Sequence, residues 1–568
     1  YGSFNAHKET VKFGTGLLKD HWAFDARLSN IGTDGYIDRA SVDLYSFYAQ
    51  GGYFADNTSV KFITFGGKEK TYHAWNYATK EEMKKYGRRF NSCGMYTDDD
   101  GHIRFYKDQT DNYLQMNYQL LLNHTFSAAW NLNAALHYTK GDGYYQEYKE
   151  DRSLKEYRLH PFMYDGKEVE KSDLIRQKKM DNHFGGGVFS VNYRNEKLDA
   201  SLGGALNYYD GWHFGRVIWV KNYIGELLPD HEYYRNKAKK TDGNLYLKAN
   251  YNLVAGLNAY ADLQYRYINY KIHGDNDKYD YNTDGLQKLA VNDHFNFFNP
   301  KAGLNWDIDS NNRVYASFSV AQKEPTRNNY TDGNADEYPK AEKLYDYELG
   351  YTYRNTWLSA GVNFYYMDYK DQLVLTGELN EIGEAMARNV PDSYRTGVEL
   401  MLGVKPCRWF QWDINGTLSK NRVKNFTEKL YEDEWKNPIE VEHGNTPIAF
   451  SPDFILNNRF SFSHKGFEAA LQSQYVSKQY MSNAKQAEQT LDAYFVSNLN
   501  LAYTFQLRHV KSVTVGFTIY NLFNEKYENN GYAGSGYTLK DGKPERYNYA
   551  GYAAQAGTNV MGNLSIRF

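Results

Sequence analysis

The sequence has little of what marks several common protein classes. It holds two cysteines, Cys93 and Cys407, in no metal-ligand or redox pattern, so disulfide stapling of the whole chain is excluded. Proline is scarce, at 11 of 568 residues, and no uninterrupted apolar run is longer than four residues. Since a transmembrane helix needs about 20 mostly apolar residues, helical membrane spans are excluded as well.

Net charge is also nearly absent. Lys plus Arg (66) and Asp plus Glu (69) leave −3, so a nucleic acid would find no broad basic surface to bind. A mean hydropathy of −0.76 suggests solubility, but tyrosine alone supplies 55 residues and aromatics make up 17% of the chain. Because the strands of a membrane β-barrel alternate apolar and polar side chains, hydropathy scales do not detect them. The composition therefore leaves this one membrane architecture open.

Apolar and polar residues alternate over many segments of the chain. In 245–254, Leu245, Leu247 and Leu253 share one face with Ala249 and Tyr251, while lysine and asparagine lie on the other face. The same period of two recurs at 258–267, 313–320, 412–418 and 513–519. Alternation of this length predicts strands with one apolar and one polar face.

The connections between these strands alternate strictly in length. Short turns fall, for instance, at 254–256, 310–312 and 465–466. Between the short turns lie long polar segments, at about 32–40, 76–111, 146–181, 212–240, 275–292, 324–342, 376–392, 427–450, 482–489 and 530–552. Short turns at one end and long loops at the other are typical of a bacterial outer-membrane barrel, whereas a soluble sandwich has no reason to sort its loops by end.

The number of strands is informative. We count 21 by alternation, and single-chain bacterial barrels have an even number. The last strand ends at Phe568, so the missing strand is placed before residue 8, with Tyr1 to Phe4 as its tail. The sequence thus predicts an all-β transmembrane antiparallel barrel of about 22 strands, 21 in this chain plus one cut at the N-terminus, over residues 1–568. Barrels of this width are plugged, and no plug-like segment occurs in the chain.

Several motifs resemble those of TonB-dependent outer-membrane receptors, and they follow the family's order along the chain. They cover the first strands after the plug, the mid-barrel pattern, the penultimate-strand signature and the terminal insertion signal. The segments are Tyr1 to Phe4 with Asp34 to Arg39; 319–325, 339–343 and 347–351; Tyr520 to Tyr527; and Asn563 to Phe568.

The resemblance implies energised import across the outer membrane of a Gram-negative bacterium. In this family an N-terminal plug fills the barrel and a periplasmic segment engages the TonB–ExbB–ExbD complex. Both are absent from this sequence, so a fragment is expected. The leading expectation for the substrate is a scarce metal chelate, above all a ferric siderophore, with membrane lipid and lipopolysaccharide around the barrel. The alternatives are a cobalamin or haem receptor, supplied by a surface lipoprotein, and a passive pore or surface-binding barrel without energy coupling.

Segment 212–240 is the main candidate for ligand binding. It carries Trp212, Arg216 and Tyr223, together with His213, Trp219 and Lys221. Aromatics mixed with cations suit an anionic, ring-bearing ligand such as a catecholate–iron complex, through cation–π contacts and charge-assisted hydrogen bonds. The structural alternative is that these aromatics belong to strand extensions or to the interfacial belt. Two similar but weaker groups are Arg327 with Tyr330, and Tyr431 with Trp435.

No resident cofactor, metal site or catalytic residue is predicted. Asp275, Asp277 and Asp284 form an oxygen-rich segment that lacks the full EF-hand spacing, so a solvated acidic loop is the better interpretation than a calcium site. The segment 98–101 is weaker still. His73, His102, His213 and His231 lie where haem would need them, but residues 322–344 lack the histidine and the Asn-Pro-Asp-Leu-like box of haem receptors. Enzyme motifs such as G-x-S-x-G and H-E-x-x-H are absent, so an enzyme is not expected.

The sequence also predicts local features. Thr79 to Glu82 resembles a capping box and Gly87 a stop, so a short helix should interrupt segment 76–111. Cys93 and Cys407 should lie on opposite sides of the membrane and remain unpaired. The last two strands should turn one set of side chains to lipid, namely Val515, Phe517, Leu564, Ile566 and Phe568, and the alternate set to the lumen, namely Thr518, Asn563, Ser565 and Arg567.

Overall fold

One antiparallel sheet of 22 strands forms the wall of the molecule, and four two-stranded sheets lie outside it in the part of the chain that the structure describes. The computed structural model describes residues 1–224, 227, 231–281, 283–332, 338–380, 383–432 and 436–568. The strands are β1 (His7–Gly14), β2 (Trp22–Thr33), β3 (Val42–Phe54), β4 (Thr58–Tyr72), β5 (Met95–Thr97), β6 (Ile103–Phe105), β7 (Thr110–Thr125), β8 (Trp130–Ser153), β9 (Phe162–Tyr164), β10 (Lys167–Val169), β11 (Lys171–Arg194), β12 (Leu198–Val220), β13 (Glu232–Val254), β14 (Leu257–Asp280), β15 (Gly285–Asp307), β16 (Asn312–Lys323), β17 (Glu342–Arg354), β18 (Leu358–Leu379), β19 (Ala385–Cys407), β20 (Phe410–Glu432), β21 (Lys436–Pro447), β22 (Phe454–His464), β23 (Phe467–Val476), β24 (Gln479–Tyr480), β25 (Thr490–Leu491), β26 (Tyr494–Leu507), β27 (Val510–Tyr520), β28 (Glu528–Lys540), β29 (Lys543–Ala554) and β30 (Asn559–Arg567). The helical segments are α1 (Lys80–Tyr86), a 3₁₀ turn (Leu154–Tyr157) and α2 (Arg327–Thr331). Among the described residues, no helix is long and apolar enough to cross a membrane.

The wall strands follow chain order and close into a ring. β21 and β22 both pair with β20, along different parts of its length, so the 22 strands fill 21 positions. The next position is taken by Tyr1 to Ser3: Ser3 N–H donates to Val560 O at 2.8 Å, and Gly562 N–H donates to Tyr1 O at 2.8 Å. The predicted barrel, with 21 strands and a further position at the N-terminal end, is confirmed.

Strand alternation sorts the side chains between the two faces as predicted. In the last two strands, Val515 pairs with Leu564 and Phe517 with Gly562, so the exposed apolar residues of both strands share one face. Thr518 lies on the other face, where its hydroxyl donates to Asn500 Oδ1 at 2.9 Å. We call the apolar face of the wall the outer face and the polar face the inner face.

The strands differ greatly in length, and this corrects several predicted loop boundaries. β8, β11 and β14 have 24 residues each, whereas β27 has 11. A membrane crossing needs only about 9–11 residues, so the long strands stand well outside the bilayer. Segment 212–240 was predicted as a loop, but β12 continues to Val220 and β13 begins at Glu232. The prediction was wrong because apolar residues near the end of β12, such as Val217 and Val220, pack against the 154–162 segment, so the alternation ends while the hydrogen bonding continues.

The predicted local features inside segment 76–111 are confirmed. α1 begins after Thr79, whose side chain accepts from the Glu82 backbone N–H while Glu82 accepts from the Thr79 N–H, and Gly87 ends it with a φ of 96°. Cys93 and Cys407 are both free thiols. Cys93 is buried among the loops, and burial raises the pKa of its thiol to about 11.

The loop-side ends of the strands converge over the barrel mouth. The hairpin β28–β29 lies outside the wall sheet and crosses from one side to the other. Near its base, Tyr552 pairs with Ala78 of the loop that follows β4. Farther along, Arg546 Nη2 donates to Glu428 Oε1 of β20 at 3.0 Å. Because β4 and β20 stand far apart in the ring, the hairpin bridges the mouth.

Candidate functional site

A short helix brings two of the predicted ligand residues into the mouth. α2 follows β16 and is preceded by Thr326, whose backbone N–H donates to Asn329 Oδ1 at 2.8 Å. Tyr330 is only 8% exposed and packs against inner-face residues of three long strands. These residues are Ala238 of β13, Tyr270 and Ile272 of β14, and Leu289 and Val291 of β15. Apolar burial therefore anchors α2 to the inner face of the tall wall.

Two phenols meet on one carboxylate beside this helix. Tyr330 Oη donates to Asp293 Oδ2 at 2.7 Å, and Tyr338 Oη donates to Asp293 Oδ1 at 3.0 Å. Burial, and then the bond to Asp293, raises the pKa of Tyr330, and the same causes raise the pKa of Tyr338 to about 12. Both phenols line a cavity of about 730 Å³ whose rim includes Lys155 and Arg158. Neutral phenols, rather than phenolates, thus face the cavity.

Arg327 supplies a cation next to these rings. Its Nη2 donates to Asn236 Oδ1 at 2.8 Å, while Nη1 is buried without a hydrogen-bond partner among the described residues. Burial, together with the charge of Arg327, lowers the pKa of the half-buried His213 to about 3. Burial raises the pKa of Tyr270 to about 12 although Arg327 opposes the rise. The guanidinium therefore faces neutral rings, and one of its N–H edges is free for an acceptor.

The other inner cations near α2 are neutralised by carboxylates. Glu324 is buried and pairs with Lys240, and Arg266 Nη1 donates to Glu324 Oε2 at 3.0 Å. Arg266 Nε also donates to Asp242 Oδ1 at 3.0 Å. This network fixes the base of the 324–332 segment. Arg327 differs from it because, among the residues that the structure describes, no carboxylate pairs with it.

A second pocket, of about 350 Å³, lies beneath the bridging hairpin. Its walls come from the loop after β4, the β18–β19 tip and the hairpin itself, and they include Trp75, Tyr77, Glu378, Tyr532 and Tyr549. Trp75 is held by stacking on His73, with ring centroids 3.8 Å apart. This aromatic pocket was not predicted. Segments 76–111 and 530–552 were recognised as long and polar, but their contact across some 450 positions of sequence leaves no local signal.

The structure places Trp212 and Arg216 away from the mouth. Trp212 pairs with Lys237, which continues the face of Leu245 and Leu247 up β13, so both side chains point outward. Lys237 Nζ lies 4.6 Å from the Trp212 ring centroid, and the Arg216 guanidinium lies 5.3 Å from the Phe214 ring. The predicted aromatic and cationic mixture exists, but on the outer face of the wall.

The remaining predicted residues are scattered. Tyr223 packs edge-on against Phe162, with centroids 5.2 Å apart, in a separate small core. Trp435 lies outside the described residues. The structure therefore brings Arg327 and Tyr330 together and keeps Trp212, Arg216 and Tyr223 apart from them.

The acidic segments are occupied by protein contacts. Asp275 is paired with Lys288 and Arg158, and Lys155 Nζ lies 3.1 Å from Asp284 Oδ1. Asp98 Oδ1 accepts from the backbone N–H of His102 at 2.8 Å, and its Oδ2 accepts from Arg104 Nε at 2.8 Å. Such contacts are those of solvated acidic turns.

A comparison with protein families agrees with this architecture. Residues 45–522 match the family model described as TonB dependent receptor-like, beta-barrel. The chain belongs to this family. It is therefore the barrel of a TonB-dependent receptor, a class of outer-membrane transport receptors.

Solved structures of the same class share the fold of this receptor barrel. The ferric yersiniabactin uptake receptor FyuA from Yersinia pestis is 14% identical, with a TM-score of 0.69 over 100% of this chain and 78% of that chain. The siderophore receptor PiuA from Acinetobacter baumannii is 11% identical, with a TM-score of 0.70 over 100% of this chain and 80% of that chain. The pesticin receptor of Yersinia enterocolitica is 24% identical over 225 residues, which are 39% of this chain and 30% of that protein. The chain thus matches about a third of the length of this curated relative.

Proposed function

We propose that this receptor barrel takes part in TonB-dependent import of a ferric siderophore, an anionic and ring-bearing chelate, across the outer membrane of a Gram-negative bacterium. The observation that carries the proposal is Arg327. Its buried Nη1 has no partner among the described residues, and neutral phenols and a neutral imidazole surround the guanidinium. An anionic oxygen of the chelate would satisfy the free N–H, and its rings would pack on Tyr270 and Tyr330.

Several properties of the relatives support this choice of ligand. PiuA is a siderophore receptor, FyuA takes up ferric yersiniabactin, and Fiu from E. coli, 10% identical with a TM-score of 0.67 over 100% of this chain and 80% of that chain, imports ferric catecholate. Energised import by the proposed route also needs a plug and a segment that contacts the TonB–ExbB–ExbD complex. Sequencing the gene upstream of Tyr1 tests that requirement: a plug-sized segment of about 100–150 residues supports it, and a signal peptide directly before Tyr1 favours a passive pore.

The decisive experiment is iron uptake by a strain that lacks the native gene and carries variants of the receptor. Arg327→Met should weaken binding of the ferric chelate about ten- to hundredfold, since a charge-assisted hydrogen bond is worth about 1.5–3 kcal/mol. Arg327→Lys should recover part of the loss. Lys271→Gln, which removes an exposed cation from the outer face, is the matched control and should bind normally.

The alternatives give different results. A haem or cobalamin receptor would leave growth on ferric siderophores intact in the deletion strain and abolish growth on its own substrate. A passive pore would continue to import without TonB. Equal uptake by Arg327→Met and the parent protein would remove Arg327 from the ligand site.

A further inference from the structure

A groove of about 740 Å³ opens on the outer face of the wall across β17 to β20. Strand pairing arranges its lining in two rows. Tyr347, Tyr366, Thr396 and Lys420 pair in turn in the upper row. In the row below, Leu349, Phe364, Val398 and Leu418 pair in the same way. The groove thus has an apolar floor that faces lipid.

Two features of the local fold create this groove. Thr396 is small and lies between the larger side chains of Tyr366 and Lys420, which leaves a depression in the surface. In addition, the wall strand beside β20 is interrupted: β22 pairs up to Leu418, β21 pairs from Arg422, and residues 448–453 lie between them. Ala449 in this segment is buried, and its N–H donates to Asn483 Oδ1 at 2.8 Å, so the chain turns inward and does not fill the outer surface.

The upper end of the groove is positively charged. Lys420 lies one row above Leu418, which is 56% exposed, and level with Tyr347, which is 49% exposed. Among the described residues, Lys420 has no ion pair. Arg422 Nη1 is 3.7 Å from Asp453 Oδ1, and that aspartate is itself largely exposed. A lysine on the lipid-facing side at the aromatic belt is stabilised when it can reach an anionic headgroup.

We propose that this groove binds lipopolysaccharide, with a phosphate of its lipid A on Lys420 and Arg422 and an acyl chain along the apolar floor. The groove lies toward the loop-bearing end of the barrel, which faces the outer leaflet of the outer membrane. A phosphorylated, multiply acylated glycolipid presents an anion directly above hydrocarbon chains. The groove offers the complementary order, two cations directly above an apolar channel.

The test measures binding of diphosphoryl lipid A to the purified chain in detergent, by native mass spectrometry and by the shift of the thermal unfolding midpoint. Lys420→Gln with Arg422→Gln should weaken lipid A binding at least tenfold, and Lys420→Gln alone should weaken it less. Thr396→Trp, which fills the groove without changing charge, should weaken binding of the acylated ligand to a similar degree. Dephosphorylated lipid A and phosphatidylglycerol serve as further probes, and both should bind the parent protein more weakly than diphosphoryl lipid A.

The matched control removes the same charge from another part of the outer face. Lys239 and Lys271 pair directly with each other on β13 and β14, where no groove is present among the described cavities. Lys239→Gln with Lys271→Gln should bind lipid A normally. Equal weakening by this control would show attraction to charge in general and overturn the site, as would undiminished binding by Lys420→Gln with Arg422→Gln. Neither outcome depends on the siderophore, so this proposal and the proposed function fail separately.

Discussion

The inner and outer faces of β12 to β14 both carry cations, but they hold them differently. On the inner face, Lys240 and Arg266 converge on the buried Glu324. On the outer face, Lys239 stands opposite Lys271, and Asp210 lies 2.9 Å from Lys237 and 3.9 Å from Lys239. A cation needs a carboxylate partner where water is excluded, but it can remain unpaired where water solvates it. Arg327 departs from this rule, since it is a buried cation with no paired carboxylate among the described residues, and this is why we propose it as a ligand contact.

The largest expected effect comes from removing the inner carboxylate. Glu324→Gln leaves Lys240 without a carboxylate and Arg266 with Asp242 alone, so we expect a loss of about 3 kcal/mol in the free energy of unfolding. Asp210→Asn removes a carboxylate from the outer face and should cost less than about 1 kcal/mol. Urea unfolding of both variants in detergent measures the difference. Similar losses in the two variants would mean that the two faces do not differ in the way described.

Within the membrane, a charged side chain should cost more stability on the outer face than on the inner face. Phe517→Arg places a charge on the lipid-facing side and should cost about 2–4 kcal/mol of stability near the midplane. Thr518→Arg places it in the lumen, beside Asn500, and should cost much less. Heat-modifiable mobility on gels reports insertion of each variant. Greater damage from Thr518→Arg would mean that the register of β27 is shifted by one residue.

Acid should weaken the inner side of the mouth. His73 is 2% exposed, and burial lowers its pKa to about 4. Because its pKa is near 6.5 when unfolded, the unfolded form takes up the proton first, so stability is complete above pH 6.5 and falls as the pH drops toward 4. At pH 4.5 the loss is about 2–3 kcal/mol for a two-state opening.

Thermal unfolding at pH 7 and pH 4.5 checks this expectation. His73→Gln should lose most of the difference between the two pH values, whereas His183→Gln, on the exposed outer face, should keep it. A parent protein whose midpoint is unchanged between these pH values would contradict the buried, neutral state of His73.

The smallest effect is expected from the outer aromatic and cationic cluster. The sequence made Trp212 and Arg216 candidates for ligand binding, but both side chains point away from the mouth. For Trp212→Ala with Arg216→Ala we expect unchanged affinity for the ferric chelate and a loss of about 1 kcal/mol in stability from the cation–π contacts on the outer face. Titration of the double variant with the chelate measures the affinity. A fivefold or larger loss would return these residues to the ligand site.

Periodicity was enough to predict the barrel but not the site. Alternation in segments such as 245–254 reports facing directly, since a strand has only two sides. The start of α1 after Thr79 and its end at Gly87 could be predicted equally well, because those contacts span only a few residues. The ends of the long strands could not be predicted, because other segments of the mouth pack on them and the apolar–polar alternation is lost there. Arg327 and Tyr330 were found by residue type, whereas the orientation of Trp212 required the register of β12 against β13, and the pocket beneath the bridging hairpin required contacts between distant segments.

The unequal heights of the wall have a consequence for exposure at the cell surface. β14 is longer than β27 by ~40 Å measured along the strand, at about 3.3 Å per residue. The loop-side ends of the tall strands therefore stand farthest from the membrane, and a large particle approaching the cell would meet them first. Substitutions at these ends would leave Arg327 and the phenols beside Asp293 unchanged, because those residues lie lower and on the inner face. Contact with large particles outside the cell and the proposed capture of the chelate therefore occur at different heights of the same barrel.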